Sequence, residues 1–71
     1  MAILSFAFSE KQQRIGAILN HIGIGFWDFS DNFRTEKLIE KTIGNKIYYL
    51  ALADEWITTD NESVYFWDLK D

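Results

Sequence analysis

Large apolar residues alternate with smaller or polar ones at the start of the chain. From position 4, every second residue is large and apolar: Leu4, Phe6 and Phe8. A period of two is typical of a β-strand, because successive side chains of a strand point to opposite faces. Residues 2–8 are therefore predicted to form a strand with one strongly apolar side.

The spacing that follows is typical of an amphipathic helix. Ser9 and Gln12 have the spacing of a capping box, in which the serine hydroxyl accepts a hydrogen bond from the third backbone N–H of the helix. Apolar residues then recur at i, i+3, i+4 and i+7: Ile15, Ile18, Leu19 and Ile22. This stripe indicates one buried helix face, and Gly23 is a natural C-terminal stop. We predict a first helix from Ser9 to about Gly23.

A strand and a second helix are predicted next. Residues 24–29 form an apolar and aromatic strand, in which Gly25 marks a close approach of another backbone or a ring. Turn and capping residues at 30–32 then precede a second helix that ends near residue 43. Its inward-facing residues are predicted to be Leu38, Ile39, Thr42 and Ile43. A strand, a helix and a strand in this order favour a parallel crossover.

The last third of the chain is predicted to consist of strands. Residues 46–53, 56–59 and 64–69 are β-branched or aromatic, and residues 60–63 form a four-residue hairpin loop. Residues 51–55 have an alternative as one helical turn, because alanine, leucine and glutamate favour helix. The predicted fold class is α+β, a single two-layer domain over residues 1–71 with two helices on one face of a small mixed sheet. The predicted order is β-α-β-α-β-β with a C-terminal hairpin.

Size and composition limit the class of protein. A chain of 71 residues without cysteine has neither a disulfide framework nor a cysteine-ligated metal, and an aromatic content of 17% argues against disorder. Surface scaling gives about 12,000 Å² for the unfolded chain and about 4,600 Å² for the folded one, so only about 60% is buried. This marginal burial favours a stabilising partner or a second copy.

The net negative charge of the chain comes entirely from its last 21 residues. Residues 51–71 carry six acidic side chains and one basic one, a net charge of −5, whereas residues 1–50 carry a net charge of +1. The same segment is rich in tryptophan and tyrosine, which are frequent at binding hot spots. The predicted partner-binding residues are Asp54, Glu55, Trp56, Asp60, Glu62, Tyr65, Trp67 and Asp68. In the alternative interpretation, the aromatic residues of this set belong only to the core. Its acidic residues then only form a solvated edge that discourages aggregation.

Catalytic and cofactor motifs are weak in this sequence. His21 is the only histidine, and it is predicted to be a half-exposed structural residue of the first helix. Gly23 and Gly25 resemble two positions of a dinucleotide-binding fingerprint, but Asp28 occupies the third position. No acidic pair has the spacing of a calcium loop. We therefore predict no enzyme activity, no cofactor and no metal, and we expect no direct binding of nucleic acid by so acidic a chain.

The sequence leads to two functional hypotheses. The first is a cytoplasmic protein that inhibits or regulates a basic macromolecular partner through its acidic, aromatic C-terminal hairpin. Immunity proteins, antitoxins and phage inhibitors of host defence have this general profile, which is an analogy of class alone. The alternative is a homodimeric accessory or structural module whose uncovered aromatic face pairs across a two-fold axis. Neither hypothesis includes a membrane as partner.

Overall fold

The structure is a computed structural model that describes residues 2–41 and 44–69. It contains seven strands and a short 3-10 helix at Phe29–Asp31. The strands are β1 (Ile3–Ser9), β2 (Arg14–Leu19), β3 (Gly23–Asp28), β4 (Arg34–Ile39), β5 (Lys46–Leu50), β6 (Glu55–Thr59) and β7 (Val64–Trp67).

The strands form two antiparallel sheets. The first sheet has the order β1-β2-β3-β4 and the second the order β5-β6-β7, so that each strand pairs with its neighbour in the chain. No α-helix occurs in residues 2–41 and 44–69. The prediction of an α+β domain with two helices and a parallel crossover is therefore wrong, and the described chain is an all-β meander.

The first predicted helix is instead a turn and the strand β2. All residues from Gly16 to Leu19 are buried, on both faces of β2. A strand buried on both faces is a continuous apolar run, and such a run also contains helical spacings by chance. The predicted contact of Ser9 does form: its Oγ accepts a hydrogen bond of 2.9 Å from the backbone N–H of Gln12. That bond closes the turn between β1 and β2.

The second predicted helix is replaced by β4. Asn32 and Phe33 both have left-handed backbone conformations, with φ of 52° and 57°, and they turn the chain back along β3. Ile39 packs against the core as predicted, whereas Leu38 points outward and is exposed. The predicted inward positions at Thr42 and Ile43 lie outside the described residues.

The C-terminal half agrees better with the prediction. Strands form at each of the three predicted places, and the last two join through the loop 60–63, where the Asp60 N–H donates to the Ser63 carbonyl over 3.1 Å. The alternative of a helical turn at 51–55 is partly realised. A tight turn spans 51–54, with the Asp54 N–H donating to the Ala51 carbonyl over 3.3 Å, and β6 then begins at Glu55.

The hydrophobic core lies between the inner faces of the two sheets. Its buried members are Ile18, Ile24, Phe26, Ile47 and Trp56. The rings of Phe26 and Trp56 meet edge to face, with centroids 5.2 Å apart and planes at 72°. Gly16 provides the space for this contact, since a Cβ at that position would lie 2.9 Å from atoms of both rings.

Candidate protein-binding surface

The outer face of the second sheet exposes a cross-strand row of apolar residues. Tyr48 of β5 pairs with Ile57 of β6, and Ile57 pairs with Phe66 of β7. Residues opposite each other in an antiparallel pair share a face of the sheet. Tyr48 is 45% exposed and Phe66 is 66% exposed. We call Tyr48, Ile57 and Phe66 the aromatic row.

Acidic residues flank the aromatic row at both ends. Asp60 and Glu62 lie in the exposed loop between β6 and β7. At the other end, Glu55 lies two residues before Ile57 and therefore on the same face of β6. Asp68 is exposed two residues after Phe66. We call Glu55, Asp60, Glu62 and Asp68 the acidic rim.

The carboxylate of Asp60 is held by the backbone of its own loop. Its Oδ1 accepts hydrogen bonds from the N–H groups of Glu62, at 2.8 Å, and Ser63, at 2.7 Å. These two bonds stabilise the ionised form and lower the pKa of Asp60 below its ordinary value of 3.8. The negative charge of this part of the rim is therefore fixed in position and present at every physiological pH.

The predicted aromatic anchors lie on the inner face. Trp56 is completely buried, and its indole N–H donates to Gln12 Oε1 over 2.8 Å. Trp67 is half-buried and donates to Thr58 Oγ1 over 2.9 Å, and the hydroxyl of the half-buried Tyr65 lies 3.4 Å from Asp60 Oδ2. Trp56 therefore has no surface to offer a partner in this fold.

Asp54, also a predicted binding residue, is separate from the acidic rim. It lies in the turn before β6 with a left-handed φ of 54°. Its Oδ1 accepts bonds from Gln12 Nε2 at 2.7 Å and from the Tyr49 hydroxyl at 2.6 Å. The bond to Asp54 raises the pKa of Tyr49 above its ordinary value of 10.0. Asp54 is thus a structural link between two turns.

Phe66 and Tyr48 were missed at the level of sequence. Alternation along β7 places Phe66 on the opposite side from Tyr65 and Trp67, and their burial in the structure follows this pattern. Which of the two sides is covered depends on the position of the first sheet. The pairing of Phe66 with Ile57 and Tyr48 also requires the register of the second sheet, which no local pattern contains.

The first sheet adds a second apolar surface next to the aromatic row. Strand β1 lies beside β5, where the N–H of Ile47 donates to Ser5 Oγ over 3.0 Å. A groove of about 450 Å³ runs along this junction, and Phe6, Phe8 and Tyr48 are among its lining residues. The strongly apolar side predicted for β1 points away from the core.

Side chains that could ligate a metal ion do not cluster in the described part of the chain. Within residues 2–41 and 44–69 no three histidine, cysteine or acidic side chains come close enough to hold a metal ion. His21 lies in the exposed turn between β2 and β3, with a φ of 64°, and not on the helix predicted for it. Over the same residues, no helix has the length and apolar character needed to cross a membrane.

Comparison of the chain with protein-family models, with curated proteins and with solved structures finds no match. The proposals below therefore rest on the chemistry and geometry of this chain alone.

Proposed function

We propose that this protein is an acidic binding module that inhibits or regulates a basic macromolecular partner, and that the outer face of its second sheet makes the contact. The observation that carries the proposal is the aromatic row with acidic residues at both of its ends. An exposed apolar centre within a charged rim is the usual arrangement of a protein-binding surface.

The aromatic row supplies the affinity in this proposal. Phe66 is 66% exposed, so with about 200 Å² for a whole phenylalanine side chain it offers roughly 130 Å². At about 25 cal/mol per Å², covering that surface contributes roughly 3 kcal/mol. Phe66 projects from a short sheet whose register is fixed by backbone hydrogen bonds, so little ordering is needed on binding.

The acidic rim supplies selectivity and speed of association. Exposed carboxylates attract a positively charged surface over about a Debye length of 8–10 Å, and this attraction weakens as salt is added. A partner whose basic groove normally holds nucleic acid would find phosphate-like charges on the rim. Inhibition then follows from competition with phosphates for the same lysine and arginine side chains.

The test is affinity capture of the tagged protein from nuclease-treated lysate of its native cells at low and high salt. The informative variant is Asp60→Lys with Glu62→Lys. The matched control is Glu10→Lys with Glu40→Lys, which changes the net charge equally but alters two exposed acids outside the rim.

We expect the wild type and the control to retain the same basic partner at low salt and to lose it at high salt. Charge reversal at Asp60 and Glu62 is expected to weaken binding of the partner about tenfold or more and to flatten the salt dependence of that binding. An equal loss with the control variant would mean that only net charge matters, and would contradict a localised site.

A further inference from the structure

The outer face of the first sheet is apolar and carries no charge along β1, β2 and β3. Pairing places Phe6, Ala17, Gly25 and Leu38 in one row across four strands. Pairing puts on this face of the three strands Phe6, Phe8, Ile15, Ala17, Leu19, Gly23, Gly25 and Trp27. Alternation along β1 adds Leu4, which lies at the bulge between Ile3 and Ser5. A sheet face of this composition is normally covered.

Three large side chains of this face are strongly exposed. Phe6 is 70% exposed, Phe8 is 61% exposed and Leu4 is 47% exposed. The opposite side of β1 carries Ser5, Ala7 and Ser9, because this side packs close to β5. Small residues thus point inward and phenylalanines outward, which reverses the pattern of an ordinary edge strand.

The face is also preorganised. The indole of Trp27 lies across Gly25, where a Cβ would stand 2.4 Å from the nearest ring carbon. Ala17 in the same row is only 3% exposed. The centre of the face is therefore a packed surface that needs no rearrangement before another flat apolar surface is placed on it.

We propose that a second copy of this chain covers this face, giving a two-fold dimer in which the outer faces of the two first sheets meet. Along β1, β2 and β3 this face has no charged side chain, so that part of it can oppose itself without like-charge contacts. The outer face of the second sheet cannot do so as easily, because its acidic rim would meet an identical rim. The two faces are therefore assigned different occupants, with Tyr48 of the aromatic row at the groove that joins them.

The area suits a weak, reversible dimer. With about 200 Å² per phenylalanine, Phe6 and Phe8 together expose roughly 260 Å². Leu4 and Leu38 add on the order of 100 Å². Two copies then bury roughly 700 Å² from these side chains, and the half-buried Ile15 and Trp27 raise the total toward the lower limit of about 1,000 Å² for a specific interface without passing it. We expect a dissociation constant in the micromolar range.

Sedimentation equilibrium of the full chain over a wide concentration range tests this proposal. The disrupting variant is Phe6→Asp, and Phe66→Asp is its matched control, because it changes an equally exposed phenylalanine on the other sheet. Circular dichroism of each variant establishes that it is folded. Phe6→Ser is a milder second variant at the same position.

The wild type and Phe66→Asp are expected to form dimers as concentration rises, and both Phe6 variants are expected to shift the dissociation constant upward at least tenfold. A wild type that is monomeric at all concentrations overturns the proposal, even if this face then binds uncharged lipid vesicles or another protein. Dimerisation that Phe66→Asp abolishes and Phe6→Asp preserves also overturns it. A monomeric wild type leaves the basic partner untouched, whereas a dimer that depends on Phe66 would place a second copy on the aromatic row and would count against both proposals.

Discussion

Gln12 Nε2 donates a hydrogen bond of 2.7 Å to Asp54 Oδ1, although 42 positions separate the two residues. The amide oxygen of the same glutamine accepts a bond of 2.8 Å from the indole N–H of Trp56, the largest side chain of the core. One side chain therefore links the turn between β1 and β2 to the turn between β5 and β6. It also satisfies a buried donor that the packing of the two sheets creates.

Replacement of Gln12 by leucine is expected to destabilise the fold. The substitution leaves the buried Trp56 N–H without its acceptor, and such a loss typically costs about 1–3 kcal/mol. Chemical denaturation measures the free energy of unfolding. Gln13→Leu is the control, since Gln13 is in the same turn but its side chain makes only an exposed bond to the Glu10 carbonyl. Equal effects of the two substitutions would contradict this role for Gln12.

Two glycines are expected to respond differently to alanine. A Cβ at Gly16 would lie within 3.0 Å of Phe26, Trp56 and Ile47, all of them buried. Overpacking of this kind costs about 1–3 kcal/mol. At Gly25 the crowding comes from Trp27, a half-buried ring that can swing toward solvent. Gly16→Ala should therefore have a lower melting temperature than Gly25→Ala. The reverse order would contradict this packing of Gly16 and Gly25.

Stability in acid is expected to depend on Asp60. The backbone N–H groups of Glu62 and Ser63 lower the pKa of its carboxyl in the folded state below 3.8. A lowered pKa contributes stability that is present above the unfolded pKa and is lost as the pH falls through the folded one. Asp60→Ala should therefore be less stable than the wild type near neutral pH, and the difference should close in strong acid. Thermal unfolding across an acid series measures it.

Glu62→Ala controls for the loss of an acid from the same loop, because it keeps both backbone donors to Asp60. A difference between the wild type and Asp60→Ala that stays constant in strong acid would contradict the assigned bonds.

Alkaline stability is expected to depend on Tyr49. Its hydroxyl donates to Asp54, and this raises the pKa of the phenol above 10.0 in the folded state. The resulting stability is fully present below the unfolded pKa of about 10 and is lost as the pH rises through the folded one. The wild type should therefore lose stability relative to Tyr49→Phe in strong alkali. Tyr48→Phe, which removes an outer-face hydroxyl, is the matched control, and parallel behaviour of both variants would contradict the bond.

The strands predicted from alternation are found in the structure, whereas the two predicted helices are not. Alternation in residues 2–8 and 64–69 is a local property, and both segments are strands. The segment from Ile15 to Ile22 is ambiguous, because a doubly buried strand and a helix face both place apolar residues at i, i+3 and i+4. Gly16, the second residue of this segment, makes room for Trp56 and is the available signal against a helix.

The candidate surface is only partly predictable for a related reason. Charge position is local, so the acidic end of the chain was identified without a structure. The choice between Trp67 and Phe66 as the outward residue depends on which face the first sheet covers, and that is a tertiary property. The prediction selected the C-terminal hairpin and, for its aromatic residues, the side that the structure places inward.

Photo-crosslinking in the native cell tests the proposed surface most directly. A benzophenone side chain would replace Phe66 in one version of the protein and Phe6 in another. Position 66 is predicted to give an adduct with a different, basic protein, which is lost when Asp60 and Glu62 are both changed to lysine. Position 6 is predicted to give an adduct with the mass of two copies of this chain. The absence of any adduct with another protein at position 66, or the same adducts at both positions, would contradict the proposed site.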